Sequence, residues 1–175
     1  MLFPECKVDT GAVFSPDNIY RYKLWRIWNR QLPLLNFILL NPSTADAERD
    51  DPTVYCCGQR ARHLGYGGLL VTNAFAFRST NPDRLYEVED PVGPDNDGAI
   101  LTEAKRASLV ICGWGKLGRY MGRDALVCDL LRQRGMVRPY VLNLNGDGTP
   151  EHPLYQPYSR QPIPYYTREA LLADA

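Results

Sequence analysis

Three polar residues, Asn41, Asn73 and His152, follow apolar runs of this 175-residue chain at points where strands would end. Asn41 closes the run 37–40, Asn73 closes the run that begins at Gly68, and His152 comes after a later run. In α/β proteins, ligands bind where parallel strands end. An asparagine amide there carries a donor pair and an acceptor on one rigid head, which is enough to read the edge of a pyrimidine. The pattern therefore predicts a base-reading pocket at one edge of a sheet.

Five segments have the composition of strands. Residues 20–28 alternate apolar and basic side chains, which is typical of a half-exposed strand, and we expect this strand to border the sheet. Residues 34–40 form a nearly uninterrupted apolar run, which is typical of a strand buried on both faces of a mainly parallel sheet. Residues 68–73, 108–112 and 140–142 are predicted to supply the other strands.

Three helices are predicted between these strands. Asp51 and Pro52 supply an N-cap and a proline at the first helical position, so a helix should run from there to about Leu64. A second helix occupies the later part of 91–107, and a third reaches Arg134. The alternation predicts an α/β fold, a three-layer sandwich with a central, mainly parallel four-stranded sheet plus an N-terminal edge strand.

Length and charge narrow the class of protein. The chain is predicted to be one domain, with an N-terminal arm over 1–19 and a Pro-rich C-terminal tail over 156–175. Twenty basic and 20 acidic residues give a formal net charge of zero, so no overall field would draw the protein onto a polyanion. Any contact with nucleic acid must therefore be local, and we expect a monomer.

The five cysteines fit neither a disulfide framework nor a standard metal site. Their number is odd, none is spaced Cys-x-x-Cys, and Cys56 and Cys57 are adjacent. We therefore expect reduced core thiols, a cytoplasmic location and no cofactor. We also expect no secretory signal and no membrane partner, because the longest apolar stretch falls far short of a membrane span.

Four short motifs stand at strand ends in a fixed order along the chain: Asn41-Pro42, then Asn73 with Arg78 and Asn81-Pro82 behind it, then Gly113-Trp114-Gly115-Lys116, then His152-Pro153-Leu154. In this order, over roughly residues 34–158, the chain resembles the uracil-DNA glycosylase superfamily. The first motif is similar to the Gly-x-Asn-Pro element of the mismatch-specific and thymine-DNA glycosylases, and the second to the thermostable bacterial branch. The chain more closely resembles an uncharacterised bacterial and phage family that shares the element Leu-Asn-Pro-Ser-Thr-Ala-Asp, here residues 40–46.

The resemblance implies roles for the three polar residues. Asn41 would position a water near the sugar carbon C1′, Asn73 would read the edge of an extruded base, and His152 would donate a hydrogen bond to a base carbonyl as the base leaves as an anion. A fixed donor at that oxygen acts where negative charge develops. Asp46 is free to face the pocket and is our candidate general base, whereas Asp51 is most simply a helix N-cap.

Further residues complete the predicted site. Tyr55 is the candidate stacking partner for a flipped base, although its place on the first turn of a helix suits a core residue equally well. The other predicted substrate-binding residues are Pro42, Ser43 and Phe77. Leu154 is the candidate minor-groove wedge. The candidate phosphate clamps are Arg78, Lys116, Arg119 and Arg160.

Departures from the family pattern leave alternatives open. Leu39 and Ser43 stand where the family has glycines, and the Ser43 side chain occupies a place where backbone approaches the substrate closely. Asn41 before Pro42 is also common in plain turns. Residues 113–115 are most simply a tight turn with Trp114 as a packing residue. The cysteine spacing has no counterpart of the iron–sulfur cluster of the thermostable branch.

The sequence predicts an enzyme that hydrolyses the N-glycosidic bond of a damaged or modified base in DNA, or in a nucleotide. The alternative is a pocket of the same shape without hydrolysis, in a base-modifying enzyme of phage-type DNA hypermodification or in a base-sensing module. A protein-interaction domain would instead have side chains filling the cleft between the strand ends.

Overall fold

A seven-stranded mixed sheet forms the middle of the protein in the computed structural model, which describes residues 7–166. The order across the sheet is β1-β2-β4-β3-β5-β6-β7. The strands are β1 (Asp9–Phe14), β2 (Arg21–Ile27), β3 (Leu34–Leu39), β4 (Gly68–Asn73), β5 (Leu109–Cys112), β6 (Tyr140–Val141) and β7 (Ile163–Pro164).

Helices cover both faces of this sheet. They are α1 (Pro52–His63), α2 (Asn96–Arg106) and α3 (Arg123–Asp129). Val54, Cys57 and Ala61 of α1 pack on one face, against alternate residues of β3 and β4. The buried side chains of α2 and α3 pack on the other face, around Ile38 and Val110. Because β3 is covered on both sides, its apolar side chains need no alternation. The predicted α/β class is confirmed.

The sheet is wider than the sequence predicts. β3 pairs in parallel with β4 and with β5, and β5 pairs in parallel with β6. The outer pairs are antiparallel: β1 with β2, β2 with β4, and β6 with β7. The two extra strands come from the predicted N-terminal arm and from the Pro-rich tail. Pro164 is compatible with β7 because this strand lies at an edge, where a missing donor costs little.

The predicted edge strand is an internal one. β2 lies between β1 and β4, and the register sets Leu24 opposite Val71. The basic residues of the alternation misled the prediction, because two of them are buried. The Arg26 guanidinium pairs with Asp50 at 2.9 Å and donates to backbone carbonyls, including that of Asp46 at 2.7 Å. Arg21 is also buried.

The third predicted helix is interrupted. Residues Lys116–Gly122 form 3-10 turns, α3 covers seven residues, and a π-helical turn, Leu130–Arg134, follows. Met121 has a φ of 55°, which an α-helix does not accommodate. The Trp114 indole lies against Gly118, where an added Cβ would come within 2.0 Å of the ring, so the chain is shaped by packing around this tryptophan.

The parallel register places several strand ends at one edge of the sheet. Leu39 at the end of β3 lies opposite Asn73 at the end of β4, and Ile38 lies opposite Cys112 at the end of β5. Because β2 runs antiparallel to β4, its first residue, Arg21, lies at this same edge. Residues that follow β3, β4 and β5 therefore meet here.

The cysteines among the described residues are free thiols. Cys56, Cys57, Cys112 and Cys128 are all buried, and burial raises the pKa of Cys128 to about 12. Cys6 lies outside the described residues. Within residues 7–166, no helix has both the length and the apolar character needed to cross a membrane.

The cap of α1 gives a test of the fold. Asp51 has extended backbone, its side chain accepts the Val54 N–H at 2.8 Å, and Pro52 is the first helical residue. Asp51→Ala should lower the free energy of unfolding by about 1 kcal/mol, because one helix N–H loses its partner. Asp51→Asn should keep most of that stability, since asparagine caps equally well. Urea unfolding of both variants measures the difference, and equal losses would show that the side chain acts by charge rather than as a cap.

Candidate functional site

A cavity of about 370 Å³ opens at the edge where β3, β4 and β5 end. Its volume lies within the range of small-molecule sites. The lining comes from the loops after these strands, from the first turn of α1 and from the segment that carries His152. The lining residues are Arg21, Leu39, Leu40, Asn41, Ser43, Asp51, Thr53, Val54, Asn73, Ser79, Thr80, Pro82, Trp114, His152, Leu154 and Tyr155. The cavity thus brings Asn41, Asn73 and His152 together.

Asn73 holds an unused amide at the wall of this cavity. The residue is 1 % exposed, and neither Oδ1 nor Nδ2 has a hydrogen-bond partner among residues 7–166. Its backbone is fixed, because the Asn73 carbonyl accepts from Nδ2 of Asn96 at 2.9 Å. A buried polar group left unpaired costs about 1–3 kcal/mol, so a ligand that pairs both atoms would recover that free energy. The arrangement suits a ligand with one donor and one acceptor side by side.

His152 is a neutral donor in the cavity wall. Its Nδ1 accepts the Leu154 N–H at 3.2 Å, so the neutral ring carries its proton on Nε2. Burial lowers the pKa of His152 below its usual 6.5, and the nearby Asp51 charge opposes this shift only in part. The His152 ring also lies 5.8 Å from that of Tyr155. Leu154, the predicted wedge, is exposed on the cavity lining.

Asn41 joins the loops that follow β3 and β4. Its Nδ2 donates to the carbonyls of Pro42 at 3.2 Å, Phe77 at 3.4 Å and Ser79 at 2.9 Å. Pro42 and Phe77 are buried, and neither is part of the cavity lining. The amide donors of Asn41 are thus committed to backbone. Its Oδ1 is the side-chain atom that remains to hold a water.

The cavity contains two opposite charges. Arg21 is 2 % exposed, and its Nη1 donates to the Ala45 carbonyl at 2.9 Å while Nε has no partner among the described residues. Burial lowers the pKa of Arg21 to about 10, so it stays charged at neutral pH. The Asp51 carboxylate favours the charged forms of both Arg21 and His152, which places the three groups in one electrostatic cluster.

Trp114 has more than a packing role. Its indole is buried, lies 6.2 Å from the Tyr165 ring and contacts Gly118, as expected for a packing residue. It also lines the cavity, and its Nε1 has no hydrogen-bond partner among the described residues. The indole N–H is therefore a further unused donor at the base of the site.

The predicted site residues Asp46 and Tyr55 also lie outside the cavity lining. Oδ1 of Asp46 accepts the N–H groups of Glu48 and Arg49 at 2.9 and 2.8 Å, and these bonds lower the pKa of the carboxyl group. Asp46 thus orders its own loop. Tyr55 is 59 % exposed and lies beside a separate groove that Trp28 also lines. A stacking role for Tyr55 in this cavity has no geometric support, whereas the buried Trp114 and the exposed Tyr155 are both aromatic residues of its lining.

The predicted phosphate clamps also lie away from the cavity lining. Arg78 donates to the Asn18 carbonyl at 3.1 Å and stacks on Phe14 at 4.7 Å from the ring centre. These contacts hold its guanidinium against the N-terminal strands.

The other three clamps are exposed on the surface. Arg119 donates to the Asp147 carbonyl and lies 3.8 Å from carboxylate oxygens of both Asp124 and Asp147. Lys116 and Arg160 are exposed, and Arg160 borders another surface groove. The four cations therefore do not form a track that leads into the cavity.

Sequence reasoning missed Arg21, Asp51, Trp114 and Tyr155 as cavity residues. The alternating pattern places Arg21 on the polar side of an edge strand, whereas the loop after β3, whose Ala45 carbonyl accepts from Nη1, contributes to its burial. Asp51 was correctly predicted as an N-cap, but its position between a loop after β3 and the first turn of α1 could also have indicated the sheet edge. Trp114 lies within the recognised motif 113–116, and Tyr155 directly follows the motif 152–154.

Comparison with known proteins gives one match. A family model described as "Protein of unknown function (DUF1643)" matches residues 21–154, which include nearly all of the cavity lining. No curated protein and no solved structure matches the chain. Among residues 7–166, no group of three or more His, Cys, Asp or Glu side chains is placed to hold a metal ion.

The state of His152 can be measured directly. Its NMR titration should have a midpoint below 6.5, and Asp51→Asn should lower the midpoint further, because the carboxylate favours the charged ring. Since the folded pKa is lower than the unfolded one, the neutral ring contributes stability that is complete above pH 6.5 and is lost as pH falls through the folded pKa. The matched control, Asp46→Asn, should leave the midpoint unchanged. A midpoint above 6.5 would contradict the neutral donor.

Proposed function

This chain belongs to the family described as protein of unknown function (DUF1643), and we propose that it recognises a nucleobase in the cavity and hydrolyses the bond between that base and its sugar. The observation that carries the proposal is the buried, unpartnered amide of Asn73 in the same cavity wall as the neutral His152. A base edge presents the donor and acceptor that this amide lacks. The four ordered motifs support a relationship to the uracil-DNA glycosylase superfamily.

The proposed reaction uses the charges of the cavity. Water attacks C1′, its oxygen forms a bond to that carbon, and the C1′–N bond breaks with its electron pair left on the base. Asp51 takes the proton of the water and stabilises positive charge on the sugar. His152 donates from Nε2 to a carbonyl oxygen of the departing base, where negative charge develops. The base then gains a proton from solvent and Asp51 releases its proton to solvent, so that free base and a sugar with a C1′ hydroxyl are the products.

Asp51 replaces Asp46 in this scheme because it lines the cavity. Asn41 holds the attacking water through Oδ1, since its Nδ2 already donates to three carbonyls. The Trp114 N–H is a second donor for the base. Tyr155 covers the rim.

The hydrogen bonds of the Asn41 Nδ2 group also favour a second function. With its donors committed to backbone, Asn41 has less to offer an attacking water than the resemblance implies. A base-modifying enzyme or base-sensing module would use Asn73 in the same way without hydrolysis. The two classes differ in product: hydrolysis leaves an abasic site that alkali cleaves, modification changes the mass of the base, and a sensor changes neither.

Substitutions in the cavity assign the roles. His152→Ala should lower the single-turnover rate on a base-containing oligonucleotide by about a hundredfold, because a donor to the leaving base is lost. Asp51→Asn should also lower the rate while the helix cap is kept. Quantification of alkali-cleaved strands measures both, with Asp46→Asn as the matched control outside the cavity. Full activity in both cavity variants would place the chemistry elsewhere.

Base recognition has its own test at Asn73. Asn73→Asp keeps the shape of the side chain but replaces the amide donor with an acceptor, so the preference among bases should be lost or changed. Competition among oligonucleotides that carry different single bases measures this preference. Under the sensing function, binding weakens in the variant and no variant turns over. An unchanged preference would contradict a role for Asn73 in reading the base.

Binding to DNA should depend weakly on salt. The net charge is zero, and Arg78 and Arg119 are engaged by other groups of the protein. Because each neutralised phosphate contributes about one unit of logarithmic salt slope, the slope should correspond to a handful of contacts. Affinity for single- and double-stranded oligonucleotides across a salt series measures it. A slope near that of a large basic DNA-binding protein would contradict this description of the surface.

A further inference from the structure

Arg21 is a buried cation in the cavity lining, where the Asp51 carboxylate favours its charged form but forms no ion pair with it within residues 7–166. It is 2 % exposed, and no carboxylate of residues 7–166 forms an ion pair with it. Among the described residues, its Nη1 donates to a neutral carbonyl and its Nε has no partner. Charged groups held away from water are normally paired, because desolvation of an unpaired charge is costly. The cavity therefore offers an incomplete site for an anion.

Hydroxyl-bearing residues line the same cavity as this guanidinium, and two of them, Ser43 and Thr80, are of interest here. The loops after β3 and β4 are joined where the Ser79 N–H donates to the Pro42 carbonyl at 2.9 Å. Ser43 and Thr80 stand on these two loops, and both line the cavity. Arg21 reaches the first of the loops through its carbonyl hydrogen bond. A guanidinium and hydroxyl groups that line one cavity are a donor set that suits the oxygens of a phosphate group.

The position of the cations favours a small ligand over a polymer. The exposed arginine Arg119 is engaged by Asp124 and Asp147, and Arg78 lies on Phe14. Negative charge would then be recognised inside the cavity by Arg21 rather than along the surface. A cavity of about 370 Å³ has room for one base with its sugar and phosphate.

Resting on the proposed base recognition at Asn73, we propose that the cavity binds a nucleoside monophosphate, with the base at Asn73 and the phosphate paired with Arg21. Ser43 and Thr80 donate to the remaining phosphate oxygens. The preferred substrate is thus a free nucleotide, and an oligonucleotide that contains the same base is the weaker ligand.

The Asp51 carboxylate limits how much a phosphate group can increase the affinity of the ligand. Its carboxylate lines the same cavity and repels a phosphate, while its Oδ1 remains bound to the Val54 N–H. We expect the monophosphate to bind roughly tenfold to a hundredfold more tightly than the nucleoside, as one charge-assisted contact provides. Asp51→Asn should therefore increase the affinity for the monophosphate relative to the nucleoside.

Calorimetric titration of the unaltered protein is the primary experiment. The probes are deoxyuridine, thymidine, deoxycytidine and deoxyadenosine, each compared with its own 5′-monophosphate, its 3′-monophosphate and a short oligonucleotide that contains the same base. Tighter binding of a monophosphate than of its nucleoside is the expected result. Equal affinity would overturn the inference without any variant.

Substitutions then locate the phosphate. Arg21→Met keeps the apolar stem and should abolish the preference for monophosphate, whereas Arg21→Lys should retain part of it. Arg119→Met is the matched control and should leave all affinities unchanged. If Arg21→Met does not fold, the same ligands are titrated into Asp51→Asn and Ser43→Ala. Asp51→Asn should raise the preference for the monophosphate over the nucleoside, and Ser43→Ala should lower it.

The outcomes separate this inference from the proposed function. Nucleoside binding that depends on Asn73, with no gain from phosphate, would overturn the inference and leave base recognition standing. An oligonucleotide that binds more tightly than any monophosphate, with no effect of Arg21→Met, would overturn it in favour of DNA. Binding of none of the probes would overturn both.

Discussion

The register between β3 and its two parallel neighbours determines where every functional group lies. Leu39 lies opposite Asn73 in the β3–β4 pair, and Ile38 lies opposite Cys112 in the β3–β5 pair. Three segments of the chain therefore leave the sheet at one edge. A shift of one residue would reverse which face each side chain meets, and β3 is buried on both faces. Packing of the core therefore fixes the position of the cavity, because the loops that line it begin at neighbouring strand ends.

The sequence predicts most of what local chemistry controls. The Asp51-Pro52 start of α1 and the buried run of β3 follow from backbone capping and from apolar composition, which act over a few residues. The meeting of Asn41, Asn73 and His152 could be anticipated because strand ends share an edge in parallel sheets. These inferences needed no knowledge of distant contacts.

Other features depend on tertiary contacts that composition does not encode. Arg21 and Arg26 look like solvent-facing residues of a strand, but the loop after β3 packs against them and its carbonyls accept hydrogen bonds from both guanidinium groups. The interruption after Gly115 depends on the Trp114 ring, which lies against Gly118 and leaves no space for a continuous helix. Asp46 and Tyr55 are near the cavity along the chain, but hydrogen bonding and helix phase direct them elsewhere. Proximity in sequence was a poor guide at these positions.

The two asparagines of the cavity are held by different forces, and this has a consequence for how natural variation in the family should be interpreted. Asn41 ties three carbonyls together, so selection for folding alone would retain asparagine there, even in a relative that has lost all chemistry. The Asn73 side chain supports nothing within residues 7–166, and an apolar residue of similar size would relieve its unpaired burial. Asparagine would persist at position 73 across distant relatives only where a ligand forms hydrogen bonds with its side chain. Invariance at position 73 would therefore indicate ligand binding, whereas invariance at position 41 would indicate only that the fold requires asparagine there.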